Sequence, residues 1–191
     1  MQPGILRKDQ LHLIALRNKI PPLHEILALY ATIVFLIYGW AAITFFWKVP
    51  SWLYFLSLGE IAAILSYTFA SSLLECTLLL CIFLFASLVL PSNWLFHKFA
   101  VRGSLIVYAL TFWVILFTLN SLIQLPTTSD IITFAIGVLV TSAVVILLAE
   151  RISFVPRLVA TVGNRLTIFL YLWLPLGLIG ILVIIFRILK S

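Results

Sequence analysis

Four times in 191 residues the chain runs for about the length of a bilayer crossing without a charged residue: Ile26–Trp47, Ser104–Leu125, Ile131–Ala149 and Leu166–Phe186. A hydrocarbon core about 30 Å thick takes roughly 20 apolar residues of helix to cross. Inside lipid, each backbone N–H and C=O must be paired by the protein itself, which leaves helices and closed barrels as the spanning structures. A barrel strand alternates apolar and polar residues over about 10 positions. These runs are apolar on all sides, so the fold class expected is an all-α integral membrane protein. Composition agrees: 64% of residues are hydrophobic and 9% charged, with a mean hydropathy of +1.24. No polar stretch is long enough for a water-soluble domain.

Between Ser51 and Leu90 lies a further apolar stretch of about twice the spanning length, interrupted only by Glu60 and Glu75. A single helix of that length would project well beyond the bilayer. The expectation is two helices, 51–70 and 73–90, folded back at Ser71–Ser72. The bundle then has about six spans, at 26–47, 51–70, 73–90, 104–125, 131–149 and 166–186, or five if half of the stretch is re-entrant. These make one transmembrane domain over 26–189.

Residues 1–25 form the one sizeable polar segment. Ile5, Leu6, Leu13, Leu16 and Ile20 fall on one side of a helical wheel, and Arg7, Lys8, His12, Arg17 and Lys19 cover much of the rest. That pattern is an amphipathic helix lying on the membrane surface, although Asp9 intrudes on its apolar sector. Pro21–Pro22 ends it and turns the chain into the first span. That span begins at Ile26 and is longer than the apolar core of a signal peptide, so no cleaved leader is expected. Pro or Gly marks most later boundaries, and Trp47, Trp52 and Trp94 fall at predicted membrane edges as an aromatic belt.

Net charge is +6 and the pI about 9.6. In a water-soluble protein this would point to nucleic acid. Here the basic residues cluster at helix ends, where anionic headgroups and membrane orientation account for them, and no nucleic-acid partner is expected. With six spans, the segments at 48–50, 91–103 and 150–165 share one side and carry Lys48, Lys98, Arg102, Arg151, Arg157 and Arg165. The positive-inside rule assigns them to the cytoplasm of a plasma or inner membrane, with both termini outside. The tails oppose this with Arg7, Lys8, Arg17, Lys19, Arg187 and Lys190, which evens the count at six against six.

Few polar residues fall where lipid is expected. Glu60 lies near the middle of its predicted span, where a carboxylate must be paired, hydrated or protonated. Ser57, Tyr67 and Ser71 share its helical face, since residues three, four or seven apart align along one stripe. The stripe is either a proton or cation relay or a polar lock between helices. Glu75, beside the predicted turn, is assigned to the headgroup level. Asn120 and Gln124, four apart, are placed to hydrogen-bond between helices or line a pore mouth. Thr133, Gly137 and Thr141 form a small-residue stripe, read first as a packing face and second as a substrate path. Pro175, with Gly177 and Gly180, is expected to kink or loosen the last span.

Arg151, Arg157 and Arg165, interleaved with Phe154, Val155, Leu158 and Val159, suit contact with lipid headgroups or an acidic partner. Cys76 and Cys81 are five apart on one helix and so lie on different faces, and no disulfide between them is expected. His12, His24 and His97 have no partner at metal-ligand spacing, and no metal or cofactor is expected. The chain has no phosphate-binding Gly-rich loop, nucleophile elbow or His-Glu-x-x-His, and no catalytic residue can be assigned. Three classes of function follow. The first is a non-catalytic subunit of a larger membrane assembly, bound to other subunits or to its own copies. The second is a small-solute or ion transporter, or a substrate-binding membrane component, using Glu60. The third is an intramembrane enzyme, which has only Glu60 to build on.

Overall fold

The computed structural model describes residues 21–89, 99–121, 127–152 and 154–190. The expected N-terminal amphipathic helix, Gln124 and the linker around Trp94 lie outside these residues. Among the described residues are five long helices: α1 (Leu23–Trp52), α2 (Leu58–Val89), α3 (Phe99–Ser121), α4 (Thr128–Arg151) and α5 (Phe154–Lys190). All five are long and apolar enough to cross a membrane, and the chain is a polytopic integral membrane protein.

The expected turn at Ser71–Ser72 is not formed. α2 runs unbroken through it for 32 residues. From Glu60 to Leu90 the sequence holds neither Gly nor Pro, so nothing in the backbone stops the helix. The serines do not stop it either. The Ser71 hydroxyl donates to the Thr68 carbonyl at 3.0 Å, a bond made within the helix. At 1.5 Å per residue α2 is about 48 Å long, which tilt and the interfacial zones accommodate.

Two other boundaries move. α1 continues past the expected linker 48–50 to Trp52, with Pro50 inside its last turn, and the chain turns over Leu53–Ser57 instead. α5 begins at Phe154, so 154–165 is helix rather than a surface loop. Pro156 falls in the first turn, where its missing N–H costs no hydrogen bond. This segment is held by packing. Val159 is buried with Val101, Leu105 and Ala149, and Gly163 lies against Ala28 of α1.

α1, α2 and α5 form the centre, α3 packs on α1, and α4 packs mainly on α3. At mid-height the rings of Tyr38 of α1, Phe69 of α2 and Trp173 of α5 meet in tilted and edge-on contacts with centroids 5.2–5.8 Å apart. Buried Tyr38 donates its hydroxyl to the Phe69 carbonyl at 3.1 Å. α5 approaches this layer through Gly177 and Gly180. A Cβ on Gly180 would lie 2.6 Å from the Ser66 carbonyl oxygen and 3.2 Å from the Ala70 nitrogen, and one on Gly177 would strike the Tyr38 hydroxyl. The two glycines therefore serve close helix approach, and α5 passes through Pro175 as one helix.

Two residues of the small-residue face of α4, Gly137 and Thr141, pack on α3, while Thr133 is exposed. The ring of Trp113 of α3 fills the space a Cβ on Gly137 would take, and its indole N–H donates to the Thr141 hydroxyl at 3.2 Å. The remainder of α4 points outward, with Ile132, Ile136, Leu139 and Val140 all exposed.

Candidate functional site: polar residues at the ends and outer face of the bundle

The continuous α2 relocates every residue of the expected polar stripe. Glu60 is not near the middle of a span but in the first turn of α2. Ser57 precedes that helix, and the pair forms a reciprocal N-terminal cap. The Ser57 backbone N–H and hydroxyl both donate to Glu60 Oε2 at 2.8 Å, and the Glu60 N–H lies 3.4 Å from Ser57 Oγ. Ser-x-x-Glu before an apolar run is the sequence signature of this capping box, so the arrangement was legible. Both residues are exposed. α4 opens in the same way. The Thr127 N–H and hydroxyl donate to Asp130 Oδ2, each at 2.7 Å.

Tyr67 and Ser71 lie on the outer face of α2, both exposed, and so does Glu75. The headgroup-level position expected for Glu75 is corrected by the unbroken helix. Glu75 lies 17 residues from Leu58 and 14 from Val89, about 25 and 21 Å along the axis. The neighbouring layer gives the same depth. Leu73 meets Gly177 of α5 beside Tyr38, which sits midway along α1. The structure thus sets a carboxylate at mid-depth, turned away from the other helices. No hydrogen bond or ion pair to Glu75 is formed among the described residues. Tyr67, Ser71 and Glu75 are spaced four apart and make one polar stripe on that surface.

The other candidates lie at the bundle's two ends. Asn120 is exposed and borders a cleft of about 160 Å³ lined also by Trp113, Phe117, Asp130, Thr133 and Phe134. Arg151 ends α4, and Arg157 and Arg165 lie on the first turns of α5, all three exposed. The structure does not bring them together with Glu60, which belongs to the opposite end.

Glu25 was not foreseen. From the first turn of α1 its carboxylate accepts the Ala100 N–H at 3.1 Å, satisfying a free donor at the start of α3. The bond spans 75 residues, and no local pattern announces it. Beside it opens a cleft of about 270 Å³ bordered by His24, Ala28, Val101, Ala160 and Asn164. Among the described residues no three His, Cys, Asp or Glu side chains are grouped to hold a metal ion. Cys76 is buried and Cys81 exposed, both as free thiols.

Against protein-family models, curated proteins and solved structures, the chain has no significant match.

Proposed function

We propose that this chain is a non-catalytic subunit of a larger membrane protein assembly. The observation that carries this reading is Glu75, a carboxylate at mid-depth on a face that the chain's own helices leave uncovered. A charged group in that position is costly against lipid and is normally turned to protein or water. A partner packed on α2 would cover it. The enzyme reading rested on Glu60 at mid-span and the transport reading on Glu60 and a kinked last helix. The α2 cap occupies Glu60 at the bundle's end, and α5 runs through Pro175 as one helix.

The five-helix path also supports an orientation in a plasma or inner membrane. It separates Lys48 from the other basic segments, which the six-span expectation had grouped on one side. Among the described residues, one end of the bundle takes Arg102, Arg151, Arg157 and Arg165, and the other takes Lys48, Arg187 and Lys190. The described residues count four against three, and the positive-inside rule assigns the four-residue end to the cytoplasm.

The test is purification of the tagged full-length chain from its native membrane in a mild detergent, followed by native mass spectrometry. A partner protein bound in fixed ratio is the expected result. A lone chain that binds no protein under conditions preserving known complexes of the same membrane would overturn the reading.

A further inference from the structure

Along the outer face of α2, Tyr67, Ser71, Leu74, Leu78, Cys81 and Phe85 are all exposed. Their spacing is 4, 3, 4, 3, 4, which is the seam of a left-handed pair of packed helices. Glu75 directly follows Leu74, a position flanking the seam. In such pairs, flanking charges choose the partner and its orientation. We propose that this face docks a transmembrane helix of a different protein, one that carries a Lys or Arg at mid-depth opposite Glu75. The proposal rests on the subunit reading above and names the face and the partner's chemistry.

Charge complementarity selects a different protein over a second copy. Two copies joined on this face would bring two Glu75 carboxylates together, and like charges at an interface are disfavoured. Nor does any described cation of a copy reach that depth. Lys48, Arg102, Arg151, Arg157, Arg187 and Lys190 lie in terminal turns of their helices. Arg165 is the deepest, yet it precedes Gly177, which is level with Leu73, by 12 residues, about 18 Å of helix. The hydroxyls of Ser71 and Tyr67 lie one and two turns from Glu75 on the same stripe, within reach of a long basic side chain and its neighbours.

The test places a photo-crosslinking p-benzoylphenylalanine at Leu78 in the full-length chain in native membranes. A second placement at Leu139, on the outward face of α4, serves as comparison. The expected product at Leu78 is an adduct with one heterologous protein whose crosslinked span holds a Lys or Arg at mid-depth. Glu75→Gln should reduce that adduct about tenfold or more, while Glu75→Asp keeps it. Glu75→Lys should regain it when the partner's basic residue is changed to Glu. Equal melting of the purified Glu75→Gln and parent chains separates lost contact from lost fold. An adduct only with a second copy or with lipid, or one undiminished in Glu75→Gln, overturns the proposal. A partner captured at Leu139 but not at Leu78 overturns it and leaves the subunit reading standing. No protein partner at either position removes both.

Discussion

The carboxylate of Glu25 accepts the backbone N–H of Ala100 at 3.1 Å, joining the first turn of α1 to the start of α3. Both helices therefore begin at the same end of the bundle, and the carboxylate sits at the positive end of the α3 dipole. Glu25→Ala should lower stability by about 1 kcal/mol. Glu25→Gln, which keeps a carbonyl acceptor, should lose less. Denaturation by sodium dodecyl sulfate, followed by circular dichroism, measures both, and equal midpoints for parent and Glu25→Ala would show that the contact contributes nothing.

If Glu60 serves as a helix cap, its charge is dispensable. Glu60→Gln retains an acceptor and should leave stability and partner binding unchanged, because Gln fills the same place in a capping box. Ser57→Ala removes the hydroxyl and should speed amide exchange in the first turn of α2, with the helix centre unaffected. A Glu60→Gln chain that is stable yet no longer binds its partner would return Glu60 to a functional role.

Gly180 and Gly39 give opposite expectations. A side chain on Gly180 meets the backbone of α2, which cannot yield as a flexible side chain can. Gly180→Ala should cost about 1–3 kcal/mol by forcing α5 away. Nothing lies within 4 Å of a Cβ on Gly39, so Gly39→Ala should be neutral or stabilising, by up to about 1 kcal/mol. Paired unfolding curves check both substitutions.

Trp113→Phe removes the indole N–H that donates to Thr141 while keeping a ring over Gly137. The expected loss is about 0.6–2 kcal/mol, the range for hydrogen bonds between membrane helices. Since α4 packs mainly on α3, the change should loosen α4 selectively. Hydrogen exchange across Thr128–Arg151 would rise while α1 and α2 keep their protection.

The five-helix path predicts that positions 48 and 157 face opposite compartments. Single cysteines there, with Cys76 and Cys81 replaced, should react with a membrane-impermeant maleimide from opposite sides. Position 157 is expected inside. Labelling of both from one side would restore a turn within α2 and the six-span arrangement.

The sequence by itself determined that this is a helical membrane protein, because the cost of exposing apolar groups and unpaired backbone is summed locally along the chain. It also contained the Ser57–Glu60 cap and the small-residue face of α4, both written in short spacings. What it left open was whether Ser71–Ser72 is a turn, and on that depended the depth of Glu60 and Glu75 and the side of every later segment. A Ser pair is compatible with either outcome. The unbroken helix is the one in which Leu73 meets Gly177 and Ser66 meets Gly180 across the interface with α5. Only the tertiary structure decided which way each side chain faces, since residues packed on another helix and residues facing lipid are equally apolar. Glu75 reads the same in sequence whether it turns inward or outward, and the packing of α1 and α5 on the opposite side of α2 turned it outward.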